Sequence, residues 1–248
     1  MYDNFRQKTL PFLIGIALVL LVVGGAVFVQ LFEPEFDPVT YCRNDRAAQT
    51  LILVDQTDVI TDRPLGGVVS VVGQVAESLA DGERLVIYEL RENSDWEQRI
   101  LLDICRPPST NWFWEAPTES AKQLEDFRRK VHKVMDGLTK VDKSPYSPIL
   151  ETINALFDAE NSWGRTRFVL ISDLLQFSPR CKQGIDRIAL EKEPSCPDMS
   201  PNAKADFEVY YIPRQGKWAR VQTQAHREWW LNRLRSSGGT AKIVRDVY

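Results

Sequence analysis

The sequence has 248 residues and a formal net charge of −3, from 31 Lys and Arg against 34 Asp and Glu. That balance, without any basic run, argues against a nucleic-acid partner, because phosphate binding needs a concentrated positive surface. Apolar residues at 44% and aromatics at 10% exclude a disordered chain and are enough for one well-packed domain.

In chain order, residues 1–9 read as a cytoplasmic tail, 10–32 as a transmembrane helix, 33–49 as a linker and 50–248 as one domain. From Thr9 to Phe32 there is no charged residue, and a helix needs about 20 apolar residues to cross the hydrocarbon. Arg6 and Lys8 precede this run, while Glu33, Glu35 and Asp37 follow it. The positive-inside rule then places the domain outside the cytoplasm, periplasmic or extracellular. The competing reading is a cleaved signal peptide with Gly24 and Ala26 at its cleavage site. Because the apolar run continues to Phe32, an uncleaved anchor is the reading adopted. The four cysteines suit an oxidising compartment. Cys181 and Cys196 bracket a polar, Pro-containing loop as a disulfide pair, and Cys42 with Cys105 is a second pairing. A buried free thiol is the alternative for Cys105.

The domain alternates strand-like and helical runs. Thr50–Asp55 (TLILVD) is a short buried strand ending in an acid, and Ser70–Leu79 is an amphipathic helix. Arg84–Leu90 and Arg99–Cys105 are strands joined by a polar turn at Asn93–Asp95, hence antiparallel. Helices follow at Thr118–Leu138, with Thr118 as N-cap, and at Ser147–Phe157, with Pro148 in its first turn. Thr166–Ser172 and Phe207–Ile212 are strands, His226–Arg235 is a helix ending at Gly238–Gly239, and a last strand starts at Ala241. With a further helix taken in the stretch between the fourth and fifth strands, the order β-α-β-β-α-α-β-α-β-α-β predicts an α/β fold: a mostly parallel, doubly wound sheet with one antiparallel edge strand.

In such a sheet the ligand end is the carboxyl end of the strands. Asp55 and Asp173 close the two most apolar strands there. Thr57 and Asp58 lie on the first loop, and Ser144 and Ser147 lie before the Pro148 helix. Two carboxylates with hydroxyls form an oxygen-only set, which suits magnesium, calcium or manganese rather than zinc. Each residue also has a purely local reading: Asp55 and Asp173 as turn caps, Ser147 as a helix N-cap.

The element order and the runs Asp55-Gln56-Thr57-Asp58-Val59, Ser144-Pro-Tyr-Ser147 and Ile171-Ser172-Asp173 resemble a von Willebrand factor A domain. Its metal-ion-dependent adhesion site uses D-x-S-x-S after the first strand, a Thr before a helix, and an Asp after the fourth strand. The resemblance implies metal ligands at Asp55, Thr57, Ser147 and Asp173, with magnesium, or calcium or manganese, completed by a partner's carboxylate. The third motif position is Val59, which supplies no ligand, and Asp58 is a candidate to compensate in charge. Further candidate partner contacts are Gln176, opening the long loop to Asp206, and Trp112 and Trp114 in an aromatic cluster.

The function expected is a membrane-anchored, non-enzymatic protein-binding module, a subunit or adaptor of an envelope assembly that meets other proteins and the membrane. A metal-free scaffold subunit is the first alternative. The run LILVDQTDV is also similar to the D-x-D-x-[TV] motif of haloacid-dehalogenase phosphatases. There, however, Thr57 replaces the second acid, so the general acid is lost.

Overall fold

The computed structural model describes residues 14–25, 35–37, 39–57, 62–90, 99–108, 117–138, 146–159, 163–182 and 196–248. The chain divides into two compact units, Met1–Glu35 and Phe36–Tyr248. In the first, residues 14–25 form a helix (α1) with its apolar side chains exposed, Leu21 and Val22 among them. Among the described residues no helix is long and apolar enough to cross a membrane. The rest of the expected span lies outside the described residues.

The second unit is a six-stranded sheet in the order β3-β2-β1-β4-β5-β6. Its strands are β1 (Ala48–Asp55), β2 (Arg84–Leu90), β3 (Ile100–Cys105), β4 (Arg165–Ser172), β5 (Asp206–Tyr211) and β6 (Thr240–Asp246). All pair in parallel except β2 with β3. The helices are α2 (Asp62–Glu77), α3 (Pro117–Gly137), α4 (Ile149–Ala159) and α5 (Gln224–Arg235). The mostly parallel pairing and the one antiparallel edge agree with the fold expected from the sequence.

The central position of β1 follows from its composition. Leu51, Ile52, Leu53 and Val54 are all fully buried, since both sheet faces are covered. Burying four such side chains contributes roughly 6–12 kcal/mol before conformational entropy is charged against it. Period-2 alternation splits them between two cores. Leu51 and Leu53 pack with Ile149, Ile153 and Phe157 of α4 and Trp230 and Leu234 of α5. Ile52 and Val54 pack with Val68, Val72 and Val75 of α2 and Phe127, Val131 and Met135 of α3.

Several boundaries differ from expectation. Helix α2 begins at Asp62 rather than Ser70, running through Pro64 and the Gly66–Gly67 pair. A Cβ on Gly67 would lie 2.4 Å from Val247 Cγ1, so the glycine lets the chain's last residues pack against the helix. The expected helix between the fourth and fifth strands does not occur among the described residues of that stretch, though residues 183–195 lie outside them. The segment from Phe36, within the expected linker, packs against the sheet. Phe36 bridges Arg43, Arg43 N–H donates to Gly82 O, and Cys42 is disulfide-bonded to Cys105. The chain thus enters the domain at the end of the sheet opposite Asp55.

Candidate functional site

Asp55 ends β1 on the α4/α5 side of the sheet, by the alternation that buries Leu51 and Leu53 there. Ser172 ends β4 on the same side, by the alternation of Phe168 and Leu170. The parallel register Val54↔Ile171 sets the two next to each other. Ser172 Oγ donates to Asp55 Oδ2 at 2.7 Å, and Ser147 Oγ donates to the same oxygen at 3.2 Å. Thr57 donates to Asp55 Oδ1 through its hydroxyl at 2.7 Å and its backbone N–H at 3.2 Å. Both oxygens of one buried carboxylate are therefore engaged, by hydroxyls from two loops and the end of β4.

Ser147 does not cap α4. Its backbone N–H and C=O pair with Phe177, which leaves the hydroxyl to reach Asp55. The start of α4 is held instead by Gln176, whose Oε1 accepts from Leu150 N–H at 2.9 Å while its Nε2 donates to Glu151. Gln176 is fully buried, so its side chain organises the site's framework and does not lie on an outer surface.

Asp173 follows at the tip of β4, buried. Its Oδ1 accepts from Leu175 N–H at 2.9 Å, and its Oδ2 accepts from Arg214 Nε at 2.5 Å. Burial pushes the Asp173 carboxyl up to about 6, and the nearby Asp55 carboxylate adds to this while Arg214 opposes it. The next residue, Leu174, has φ 60, a left-handed conformation that is strained for a side chain of its shape. Its carbonyl accepts from Trp230 Nε1 at 2.8 Å and faces His226 Nε2 at 3.2 Å, so α5 holds that turn. Burial drives the His226 imidazole down to about 4 and keeps it neutral.

The long loop after Asp173 is pinned by the Cys181–Cys196 disulfide, whose sulfurs sit in the α4/α5-side core. Ser178 accepts from Cys181 N–H and donates to Glu151 of α4. Asp58 and Val59, Ser144, and Trp112 and Trp114 lie outside the described residues. Of the paired tryptophans on α5, Trp230 is fully buried and Trp229 stacks edge-on to it at 5.3 Å, under Arg233.

Ser172, Arg214 and Gln222 were not singled out from the sequence. Ser172 was readable by strand parity, because it precedes Asp173 on a strand neighbouring β1. Arg214 carried a weaker signal: a cation two residues past the end of FEVYYI, the strand that lies beside β4.

Two carboxylates and three hydroxyls have the chemistry of a hard-cation site. As arranged, they do not fit a divalent ion. Arg214 already stands on Asp173, and a metal there would meet a fixed like charge. Among the described residues no group of three or more His, Cys, Asp or Glu is placed to hold a metal.

No family model and no curated protein matches the chain. It is similar to a solved von Willebrand factor type A protein from Catenulispora acidiphila, at 12% identity and a TM-score of 0.40. The match covers 81% of this chain and 39% of that one, so the chain spans well under half that protein's length. The fold described here rests on the strand order and pairing, not on that likeness.

Proposed function

We propose that this chain is a membrane-anchored, von Willebrand factor A-like protein-interaction module whose contact surface is the carboxyl end of its sheet. The observation that carries the reading is a disulfide-pinned loop with exposed Arg180 at that end, held in place by the buried cluster of Asp55, Thr57, Ser147, Ser172 and Asp173 with Arg214. Strained backbone at Leu174 and a long loop after the strand are features that collect at working surfaces. The uncharged run Thr9–Phe32 supports an anchor, and two closed disulfides support an oxidising, extracytoplasmic location.

A phosphatase reading has little support. Asp55 accepts hydrogen bonds on both oxygens, which lowers its nucleophilicity, and Thr57 supplies no general acid. The Asp173–Arg214 pair favours a binding module that needs no metal.

Photo-crosslinkers placed in cells at exposed Arg180, beside the site, and at exposed Arg46, at the opposite end, test the surface. Specific protein adducts are expected from position 180 and not from 46. Equal labelling from both, or labelling from 46 alone, would move the contact elsewhere. Alkaline extraction of membranes tests the anchor, since release of the chain into the supernatant is incompatible with a spanning helix.

A further inference from the structure

Two buried carboxylates, Asp55 and Asp173, sit at the tips of adjacent strands, where a cation nearby would offset their like charge. In the family this chain resembles, a divalent ion is that cation. Here the side chain in that role is Arg214, 2.5 Å from Asp173 through Nε.

The arginine is built into the site. Its backbone N–H donates to Gln222 Oε1 at 2.6 Å. The amide of Gln222 in turn donates to Asp173 O at 2.9 Å and to Ile212 O at 3.0 Å. One side chain thus fastens the loop bearing Arg214 to the loop bearing Asp173. The ion pair is also shielded from solvent, with side-chain exposures of 19% for Arg214 and 5% for Asp173. Asp55, meanwhile, is saturated by hydroxyl donors rather than left open toward a cation. Val59 removes one further hydroxyl from the motif position that would complete a coordination shell.

We infer that Arg214 is the resident cation of this site: its guanidinium takes the charge-balancing place of a divalent ion, and the Asp55–Asp173 cluster is complete without metal. A guanidinium is never deprotonated under physiological conditions and is fixed to the chain. The site's charge state is therefore independent of the divalent concentration around it. This goes beyond the interaction-module reading and stands whether or not that end of the sheet meets a partner.

The test is manganese binding by the full-length chain in detergent, read by electron paramagnetic resonance, with magnesium as competitor. Wild type is expected to show no saturable site in the millimolar range. Arg214→Gln and Arg214→Met uncover the two carboxylates and are expected to bind manganese at least about tenfold more tightly than wild type. Adding Asp173→Asn to either should abolish that binding. Arg214→Lys keeps a charge in place and should stay metal-blind. Circular dichroism and a cooperative melt identify which variants fold. A saturable wild-type site lost in Asp173→Asn overturns the inference. So does the absence of manganese binding in a folded Arg214→Gln or Arg214→Met protein.

Discussion

The Ser172 hydroxyl donates to Oδ2 of Asp55 across 2.7 Å and also accepts the N–H of Leu174 at 2.8 Å. One fully buried oxygen therefore ties the tip of β1 to the strained turn after β4. Replacing it by Ala leaves the Leu174 N–H without that acceptor and removes one donor from a buried carboxylate. Unsatisfied buried groups cost about 1–3 kcal/mol each, so Ser172→Ala should lower the unfolding free energy by about 2 kcal/mol. Ser172→Thr keeps the hydroxyl on a β-branched side chain suited to a strand and should lose less. Urea unfolding of the full chain measures both. A Ser172→Ala midpoint equal to wild type would mean that this bond contributes nothing to holding the site.

Much of this arrangement was legible in the sequence because it follows from alternation. TLILVD and RFVLISD are near-continuous apolar runs, which makes them central strands, and their terminal acids fall at the carboxyl end of a parallel sheet. What was not legible depends on contacts between segments distant in sequence. Ser147 reads as a candidate metal ligand with a helix N-cap as its local alternative; the cap does not form, since its backbone is taken by Phe177, thirty residues on, and Gln176 caps the helix instead. Arg214 had no motif to announce it. Its role depends on β5 lying beside β4, a pairing that no local pattern encodes.

The early start of α2 was hidden for a similar reason. Gly66 and Gly67 both lower helix propensity, yet they serve different ends. A Cβ on Gly66 would meet nothing within 4 Å, whereas one on Gly67 would meet Val247 Cγ1 at 2.4 Å and the Tyr248 carbonyl at 3.0 Å. Gly66→Ala should therefore stabilise the protein by about 0.5–1 kcal/mol. Gly67→Ala should destabilise it by pushing the last residues off the helix. Thermal melts of the two variants should move in opposite directions. Equal shifts would show that the packing of Val247 on α2 is not what requires the second glycine.

The two disulfides close loops of very different length, with sequence separations of 63 for Cys42–Cys105 and 15 for Cys181–Cys196. In the chain-entropy account they contribute about 4 and about 3 kcal/mol respectively. Their structural consequences differ more than these figures do. Cys42–Cys105 fastens the entering segment to edge strand β3, while Cys181–Cys196 is part of the core under α4. Cys42→Ser/Cys105→Ser should lower the melting temperature yet keep the Asp55 cluster intact. Cys181→Ser/Cys196→Ser should also loosen the loop beside the site, making it a protease target under native conditions. Limited proteolysis with mapped cleavage positions distinguishes the two. Cleavage near the loop in the first variant, or none in the second, would contradict the assignment.

His226 and Asp173 lie on either side of the Leu174 turn, and their protonation pulls stability in opposite directions as pH falls. His226 is held near 4 by burial, below its unfolded value of about 6.5. The unfolded chain therefore takes up that proton first. Stability from the neutral imidazole is fully present above about 6.5 and is lost as pH drops toward 4. Asp173 is raised to about 6 from an unfolded value of about 3.9. Its buried charge costs stability above about 6, and that cost is relieved between about 6 and 3.9, where the folded chain takes up the proton first. The two effects oppose each other across this window, so the wild-type curve alone does not separate them. The variants separate them. Relative to wild type, His226→Gln should gain stability as pH falls from 6.5 to 4, while Asp173→Asn should lose it. Subtracting the wild-type curve removes the exposed carboxylates common to all three proteins. Unfolding free energies measured at several pH values decide the matter: parallel curves for the three proteins would mean that neither group is perturbed by its burial around Leu174.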